Sequence, residues 1–397
     1  MRQTCDIVLV GIAGYGEVYL QALEEKGYLN WVQGVVDIQP KRSTYYSKLK
    51  ALRIPCYPSL EEFYQHTSAD LAIISSPIHL HAQQSIIAME NGSHVLCEKP
   101  IAGSLKEANQ MRESRDKTGR FLAVGFNWSF STPVQQIKKD IQEGRFGKPL
   151  RGKSIALWPR NKQYFERSNW AGKRLGPNGE AIYDSIANNA ASHFLHHLLY
   201  ILGNTTEQSA KIKNLEVELY KANPIETFDT CALRANTEQS VELVYLVSHA
   251  VESTIGPNVT LECENATITY EVGGDMQAAF KDGTTKNYGD PEAAHSQKLD
   301  VCIQAVLNEE TSIPCSIEAA YSQLLSIEYI HRSISTVPYF PASMIKQDAH
   351  TQQTYVLQLE ENFLSCYKAY KLPSEMNVSW AQPPTTIPIP ENSYPFD

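Results

Sequence analysis

The stretch that decides the fold is Ile7-Val8-Leu9-Val10-Gly11-Ile12-Ala13-Gly14-Tyr15-Gly16. Its first four residues form a continuous apolar run with the length of a buried strand. The glycine-rich turn leads into a helical pattern of apolar residues through Leu23. A strand, a glycine turn and a helix in this order are typical of a dinucleotide-binding fingerprint, in which helix N–H groups face a pyrophosphate. Ala13 stands where the second glycine is expected, so the fingerprint is incomplete.

An acidic residue at the expected distance supports the dinucleotide interpretation. Asp37 ends the next apolar run, Trp31–Val36, and follows Gly16 by about 20 residues, the usual spacing of the acid that binds the ribose hydroxyls. A carboxylate there repels a 2′-phosphate, so NAD is the expected cofactor. NADP stays possible because Lys41 and Arg42 are close in sequence. The alternative is an ordinary tight turn followed by a strand-end aspartate.

Strands and helices continue to alternate through the first part of the chain. Buried strands are predicted at 70–75, 95–97 and 121–126, and a capping box at Ser104 predicts one of the intervening helices. This alternation predicts a parallel, doubly wound α/β sheet. Short alternating or apolar runs between residues 215 and 270 then predict an antiparallel sheet covered on one face by helices.

The length of the chain, 397 residues, suits more than one domain. We predict a dinucleotide-binding domain over residues 1–125, a second α/β domain over residues 126–340, and a C-terminal segment over residues 341–397. This segment contains a helical pattern at about 351–372, whose apolar stripe needs a partner surface. Its proline-rich end, from residue 382, is expected to be extended.

Composition narrows the classes of function. The net charge of −9 argues against nucleic acid as a partner, because phosphate binding needs a basic face. The first apolar run is too short to span a membrane and lacks a basic leader. The eight cysteines show no paired spacing, which predicts reduced thiols and neither a disulfide framework nor a zinc site. We therefore expect a cytoplasmic protein with no membrane or nucleic-acid partner.

The tripeptide Glu98-Lys99-Pro100 directly follows the predicted strand at 95–97. Pro100 cannot continue a strand ladder, so Glu98 and Lys99 lie where the strand ends and the chain turns. Open α/β sheets bind their ligands at this end of the strands. On its own the tripeptide is more typical of a solvated turn with a surface ion pair, and only its neighbours along the chain favour a ligand site.

Taken in order, these motifs resemble the Gfo/Idh/MocA oxidoreductases, which are NAD(P)-dependent sugar and polyol dehydrogenases. The resemblance covers about residues 5–335. It implies a Rossmann domain followed by an α/β domain with a large open antiparallel sheet, which commonly mediates homodimers or homotetramers. It also implies a small sugar or polyol as the substrate. The motifs that carry it are Gly11–Gly16, Asp37, Ser76–His81, His94–Pro100 and Val124–Asn127.

The resemblance also implies which residues form the site. Lys99 matches a lysine that lies beside the nicotinamide and the reacting hydroxyl, where an ammonium stabilises negative charge on oxygen. His193 matches the proton-transferring histidine of an Asp-x-Gly-x-His motif, which here reads Asn189-Ala-Ala-Ser-His193. Asn189 cannot act as a base but can hydrogen-bond a substrate hydroxyl. The cofactor-binding candidates are Gly11, Ala13, Gly14, Tyr15, Gly16, Asp37, Ser75, Ser76, Pro77, His81, Glu98, Lys99 and Asn127.

The stretch between residues 152 and 188 is rich in Arg, Trp, Tyr, Asn and Gly and is predicted to form a long loop or lid. Its candidate substrate-binding residues supply donors and flat apolar faces that suit a sugar ring, although solvated loop residues are the alternative. They are Arg160, Tyr164, Arg167 and Trp170. His193 and His197 are one helical turn apart, but no Glu-x-x-His context accompanies them, so no metal is expected.

The expected activity is hydride transfer between a sugar or polyol hydroxyl, or its ketone, and NAD(P). One alternative is a redox-neutral glycoside-processing enzyme that oxidises a ring hydroxyl transiently. Another is a non-catalytic, cofactor-binding sugar sensor. The presence of both Lys99 and His193 speaks against the sensor.

Overall fold

A computed structural model describes residues 3–293 and 295–396 of the chain. The chain forms two compact units, and each unit consists of two separate segments of the sequence. The two compact units are Met1–Ser131 with Ala294–Ala320, and Thr132–Ala293 with Tyr321–Asp397. The division into three functional parts stays a prediction.

The first unit contains a six-stranded parallel sheet. Its strands are β1 (Ile7–Val10), β2 (Val32–Val36), β3 (Cys56–Tyr57), β4 (Leu71–Ile74), β5 (His94–Cys97) and β6 (Leu122–Val124). They pair in the order β3-β2-β1-β4-β5-β6. The order reverses between β1 and β4, and the carboxyl ends of strands at such a switch point are where open α/β sheets bind ligands. The predicted Rossmann sheet is confirmed.

The helices around this sheet begin and end at residues that the sequence marks. They are α1 (Gly16–Glu25), α2 (Tyr46–Ala51), α3 (Leu60–His66), α4 (His81–Glu90) and α5 (Leu105–Thr118). The Ser59 and Ser104 hydroxyls accept the N–H groups of Glu62 and Glu107, so they cap α3 and α5. α5 ends at Gly119, whose left-handed conformation favours glycine.

The second unit contains a nine-stranded sheet and a two-stranded ribbon. Their strands are β7 (Pro149–Leu157), β8 (Ile212–Tyr220), β9 (Thr230–Thr237), β10 (Glu242–Ser248), β11 (Ile255–Cys263), β12 (Ala266–Tyr270), β13 (Met276–Phe280), β14 (Thr285–Gly289), β15 (Ile345–Gln347), β16 (Thr354–Val356) and β17 (Thr385–Pro388). The large sheet has the order β14-β13-β12-β11-β7-β10-β9-β8-β17, and β15 pairs with β16.

The large sheet is antiparallel, as predicted, except that β7 and β10 are parallel. The exception arises because β7 is inserted between β10 and β11, which run in opposite directions, so it must be parallel to one of them. The sequence did not predict β13 or the two edge strands, β14 and β17. β14 is mostly exposed and β17 lies in the proline-rich tail, so neither carries a clear alternating pattern.

Within the described residues, six further α-helices follow those of the first sheet. They are α6 (Thr132–Gln142), α7 (Lys162–Phe165), α8 (Ser192–Ile201), α9 (Gln297–Leu307), α10 (Ile317–Ser333) and α11 (Leu359–Ala369). Between residue 157 and α8 the chain is largely irregular apart from α7, so the predicted loop begins after β7 and not at residue 152. Of the helices within the described ranges, none has both the length and the apolar character needed to cross a membrane.

The C-terminal segment packs on the large sheet. Leu359 and Phe363 of α11 are fully buried in one core with Ile155 of β7. On the other face of β7, a Cβ at Gly152 would contact Leu198 of α8. Helices therefore cover both faces of this sheet, and the expectation of one covered face is wrong because α11 supplies the second cover. The helix predicted from residue 351 begins later, since β16 precedes it.

His331 of α10 is a buried histidine between two aromatic rings. It is 2% exposed, and its ring centroid lies 4.4 Å from that of Tyr183 and 5.5 Å from that of Phe228. Burial lowers the pKa of His331 to about 3, whereas an imidazole in an unfolded chain has a pKa of about 6.5. The unfolded state therefore takes up the proton first. The neutral, buried His331 ring therefore contributes to the free energy of unfolding above about pH 6.5, and this contribution is lost as the pH falls toward 3.

We expect His331→Phe to lose less stability on acidification than the parent protein. Phenylalanine keeps the ring stack and has no proton to take up. Between pH 7 and pH 5 the free energy of unfolding of the parent should fall by about 2 kcal/mol more than that of the variant. Urea denaturation at each pH measures the two losses. Equal losses would show that His331 is protonated at pH 5 in the folded protein.

Candidate active site

The glycine turn between β1 and α1 has the geometry that the fingerprint predicts. Gly11 and Gly14 have positive φ angles of 78° and 61°. A Cβ at Gly11 would lie 2.8 Å from the carbonyl oxygen of Ser75, and a Cβ at Gly16 would collide with the carbonyl oxygen of Gly11. Both positions therefore need glycine. Around the Cβ position of Gly14, no atom of the described chain lies within 4 Å, so the turn is open there.

Asp37 reaches this turn from the end of β2. Its Oδ2 accepts the N–H of Ile12 at 3.0 Å, and its Oδ1 accepts the N–H of Gln39 at 2.7 Å. Each carboxylate oxygen has a second lone pair. Asp37 can therefore accept ribose hydroxyls while it keeps both backbone bonds.

Two buried polar atoms of the candidate cofactor residues lack a hydrogen-bond partner within residues 3–293 and 295–396. They are Oγ of Ser75, after β4, and Oδ1 of Asn127, after β6. Buried polar atoms are seldom left unpaired, so a bound ligand that carries donors fits here. With the open turn at Gly14 and the lone pairs of Asp37, the residues present fit a dinucleotide.

His81 is the first residue of α4 and hydrogen-bonds the two loops that follow β4 and β5. Its Nδ1 and Nε2 each lie 2.8 Å from a backbone carbonyl oxygen, that of Pro100 and that of Ser76 respectively. Burial lowers the pKa of His81, although the two carbonyls act in the opposite direction. Direct contact with a cofactor stays a prediction for His81, as it does for Ser76 and Pro77.

Glu98 is a buried residue, so it is not part of a solvated turn with a surface ion pair. It is 7% exposed and accepts a hydrogen bond from the Tyr19 hydroxyl at 2.6 Å. Its ion-pair partner is Lys298 of α9, which is 2% exposed. Burial raises the pKa of Glu98, but the Lys298 ammonium outweighs it and holds that pKa below the usual value. The carboxylate is therefore ionised in the interior of the first unit.

Lys99 is half-buried at the end of β5, and its backbone N–H lies 3.2 Å from Oε2 of Glu98. Lys298 pairs with the Glu98 carboxylate, and the Lys99 ammonium also acts to lower the pKa of that carboxyl. This arrangement is compatible with a role for Lys99 at a substrate, which stays a prediction.

Sequence reasoning missed the contribution of α9 to this edge. Lys298 also lies 3.3 Å from the Tyr15 hydroxyl. His295, which precedes α9, has its Nε2 3.1 Å from both the Tyr15 hydroxyl and Nδ2 of Asn127. The apolar pattern of α9 predicts a helix but contains no signal for partners so far away along the chain.

In the second unit, the stretch before α8 forms a cluster around Asp184, whose carboxylate receives four hydrogen bonds. Arg167 donates to both oxygens, at 2.9 and 3.1 Å. Nδ2 of Asn189 donates to Oδ1 at 2.7 Å, and the N–H of Gly172 donates to Oδ2 at the same distance. A carboxylate therefore adjoins Asn189, although the motif itself has an amide where aspartate is usual. Asp184 fixes the Asn189 amide group.

His193 is the second residue of α8 and is half-buried. Its neighbour Phe194 contacts Trp158 edge to face, with ring centroids 5.3 Å apart. His196 and His197 of the same helix are buried, and burial lowers the pKa of His197 to about 3. These two histidines are neutral core residues. His193 is thus the histidine of α8 with substantial exposed surface, and its catalytic role stays a prediction.

The four candidate substrate residues lie together, as a stack of cations and rings. The Arg167 guanidinium lies 4.1 Å from the Tyr164 ring centroid and 4.9 Å from that of Trp170. The Arg160 guanidinium lies 5.1 Å from the Tyr164 centroid. Arg167 joins this stack to Asp184 and through it to Asn189. Binding of a sugar by these residues stays a prediction.

Comparison with known proteins gives matches that are strongest in the first unit. Residues 5–126 match the family GFO_IDH_MocA, an oxidoreductase family with an NAD-binding Rossmann fold. D-glucoside 3-dehydrogenase of Escherichia coli is 33% identical over 78 residues, which are 20% of this chain and 22% of that protein. Inositol 2-dehydrogenase/D-chiro-inositol 3-dehydrogenase of Lactiplantibacillus plantarum is 27% identical over 143 residues, 36% of this chain and 41% of that protein. The chain thus matches less than half the length of either relative.

Solved structures extend the likeness of fold to most of the chain. The WlbA dehydrogenase of Chromobacterium violaceum, in complex with NADH and UDP-GlcNAcA, has a TM-score of 0.68 and 21% sequence identity. The match covers 83% of this chain and 94% of that one. Such a likeness shows the fold alone. With the family match and the geometry of the glycine turn, residues 5–126 form the NAD-binding Rossmann fold of the oxidoreductase family GFO_IDH_MocA.

Proposed function

We propose that this protein is a dehydrogenase that moves a hydride between a sugar or polyol hydroxyl carbon and NAD(H). The observation that carries the proposal is a turn that fits a dinucleotide, with Lys99 at the same edge of the sheet. The names of the two relatives support the substrate class, since glucosides and inositols both carry secondary hydroxyls.

The residues that would hold the cofactor follow from the geometry of the first unit. The turn Gly11–Gly16 would face the pyrophosphate with backbone N–H groups, and Asp37 would accept the ribose hydroxyls. Ser75 and Asn127 offer polar atoms that lack other partners in the described chain. The bound nicotinamide supplies the acceptor or donor of the hydride.

The chain's own residues would handle the proton and the charge. The His193 imidazole takes the hydroxyl proton as the carbonyl forms, because a neutral imidazole nitrogen can accept a proton. The Lys99 ammonium donates a hydrogen bond to the substrate oxygen and stabilises the negative charge that develops there. Asn189, held by Asp184, hydrogen-bonds a substrate hydroxyl and orients the ring.

A spectrophotometric screen of sugars and polyols with NAD⁺ and NADP⁺ tests this proposal. The expected result is formation of reduced nicotinamide with at least one sugar or polyol. Binding of NAD⁺ with no turnover of any polyhydroxylated compound would instead favour a sugar sensor. Release of a free sugar from a glycoside without net NADH would favour the redox-neutral enzyme.

Asp37 is expected to make the protein prefer NAD⁺ over NADP⁺. Asp37→Ala removes the acceptor of the ribose hydroxyls and the charge that repels a 2′-phosphate, so the two affinities should converge. Hydrogen bonds to a charged group contribute about 1.5–3 kcal/mol, so the dissociation constant for NAD⁺ should rise about 10- to 100-fold. Fluorescence titration of both cofactors measures this. If NADP⁺ binds the parent protein more tightly than NAD⁺, the role given to Asp37 is wrong.

The compartment and the assembly belong to the same proposal. The family resemblance supports a homodimer or homotetramer, and the scattered cysteines support the reducing cytoplasm. Light scattering at several protein concentrations measures the mass in solution. A monomer at all concentrations would contradict the proposed assembly.

A further inference from the structure

Arg160 is a cation that has no carboxylate partner among the residues that the structure describes. Its guanidinium lies beside the rings of Tyr164 and Trp158, and its Nη1 donates to the carbonyl oxygen of Pro159 at 3.0 Å. No Asp or Glu of the part of the chain that the structure describes forms an ion pair with it. Arg167, in contrast, is balanced by Asp184. One net positive charge is therefore held at a half-buried place in a chain whose overall charge is −9.

His249 adds a buried acceptor at the same place. It is 2% exposed, and its ring centroid lies 5.3 Å from that of Tyr164. Its Nδ1 donates to the carbonyl oxygen of Trp158 at 2.8 Å, and its Nε2 has no hydrogen-bond partner within the described ranges. Burial lowers the pKa of His249 to about 3, and Arg160 acts in the same direction. The ring is thus neutral and its Nε2 is an acceptor for a hydroxyl.

The topology explains why these groups meet. β7 and β10 are parallel neighbours, so their carboxyl ends lie at one edge of the sheet. Trp158 and Arg160 follow β7, and His249 follows β10. The backbone N–H of Arg160 donates to the carbonyl oxygen of His249 at 3.3 Å. Trp158 in turn contacts Phe194, the residue after His193. The groups therefore belong to the same cluster as the candidate base.

We propose that Arg160 and His249 form a subsite for a carboxylate with a neighbouring hydroxyl, so that the substrate is a sugar acid such as a hexuronate. The planar guanidinium matches a carboxylate through two parallel hydrogen bonds. His249 accepts from a hydroxyl of the same ligand. This inference rests on the proposed function for the reaction, but it stands on its own for the binding of the acid.

The charge balance favours a carboxylate over a phosphate group. The ion pair of Arg167 with Asp184 is neutral overall, and so is His249, which leaves the single charge of Arg160. A carboxylate carries one negative charge and neutralises the positive charge of Arg160. A phosphate monoester carries about −1.5 to −2 at neutral pH, which one guanidinium does not balance.

Binding to the NADH-loaded protein tests the subsite without requiring turnover. Calorimetric titration with D-glucuronate, D-galacturonate and D-mannuronate is compared with titration of the parent hexoses and of their sugar phosphates. At least one hexuronate is expected to bind about tenfold or more tightly than its hexose. Arg160→Met should weaken that binding about 10- to 100-fold and change hexose binding little. Arg160→Lys should restore part of the loss, because it keeps the charge without the planar fork.

Lys162→Met is the matched control. Lys162 is an exposed cation of α7 that already pairs with Glu166 at 3.5 Å. Its removal should leave hexuronate binding unchanged, whereas His249→Phe should weaken hexuronate binding because the acceptor for the ligand hydroxyl is lost. Thermal melting of each variant confirms that it is folded.

The outcomes separate the subsite from the proposed function. Absence of hexuronate binding, tighter binding of a sugar phosphate, or equal losses of acid and hexose in Arg160→Met would each overturn the subsite. Oxidation of neutral sugars without preference for acids would also overturn it and leave the dehydrogenase proposal intact. Arg160-dependent binding of a hexuronate that is not oxidised would support the subsite and contradict the proposed reaction.

Discussion

Lys99→Ala and His193→Ala are each expected to lower kcat by about 10²- to 10⁴-fold, while the affinity for NAD⁺ changes little. In the proposed mechanism, Lys99 stabilises charge on the substrate oxygen and His193 accepts the proton of the substrate hydroxyl. Because both groups act on one transition state, the double variant should lose much less than the product of the single losses. Steady-state kinetics of the parent, the two single variants and the double variant gives the losses in kcat. The affinity for NAD⁺ is measured separately for each protein.

The pH dependence identifies the proton acceptor. The pH–rate profile of the parent enzyme should show a titrating group that the profile of His193→Asn lacks. His66→Ala and Lys139→Ala, at exposed positions, serve as controls and should retain kcat. Near-normal turnover by His193→Ala would remove it as the base. Losses that multiply in the double variant would mean that the two residues act in separate steps.

Lys298→Met is expected to lower the free energy of unfolding by about 3–5 kcal/mol. The substitution keeps the length of the side chain but leaves the buried Glu98 carboxylate without its cation. Lys26→Met is the matched control, because Lys26 pairs with Asp300 of the same helix at a solvent-accessible position, 28% and 41% exposed. A pair of that kind contributes at most about 1 kcal/mol. Urea denaturation of both variants measures the difference.

Lys298→Met also changes how the free energy of unfolding depends on pH. The direction of this change follows from the behaviour of Glu98 in the parent protein. In the parent protein the lowered pKa of Glu98 contributes stability above about pH 4.5, which is lost as the pH falls through the folded value. Without Lys298, burial should raise that pKa, so the deficit of the variant should shrink as the pH falls and Glu98 is protonated. Glu98→Gln combined with Lys298→Met should recover part of the stability at neutral pH. Equal effects of the two lysine substitutions would contradict a buried ion pair.

The first unit could be predicted closely because its signals are local. Ile7–Val10 is a continuous apolar run, Ser59 and Ser104 stand at the caps of their helices, and Gly119 ends one of them. Each of these features depends on residues within a few positions along the chain. The parallel order of the strands then follows from the alternation of strands and helices.

The second unit was harder to predict because its pairing is long-range. The insertion of β7 between β10 and β11 brings together strands that are far apart in sequence, and no local pattern shows it. The position of α11 on the second face of the sheet likewise depends on a core shared with Ile155. The strand Thr354–Val356 takes residues that continue the helical stripe, so tertiary pairing overrides that pattern.

Some residues of the candidate site could be predicted from local sequence, and others are brought together only by the fold. Gly11 and Asp37 could be found from spacing, because the fingerprint is a property of one short segment. Lys298 lies within an ordinary helix, and nothing around it reveals that its partner is Glu98. His249 follows an ordinary apolar strand, and its environment depends on the parallel neighbour β7. Buried charge partners of this kind are visible only in three dimensions.

The most direct test of hydride transfer uses an accepted sugar that carries deuterium at the reacting carbon. We expect the C–D bond to break, deuterium to appear in NADH in proportion to the oxidised sugar, and the hydroxyl proton to be lost through His193. Mass spectrometry of the reduced cofactor measures the transfer. Consumption of the sugar without any deuterated NADH would contradict the account.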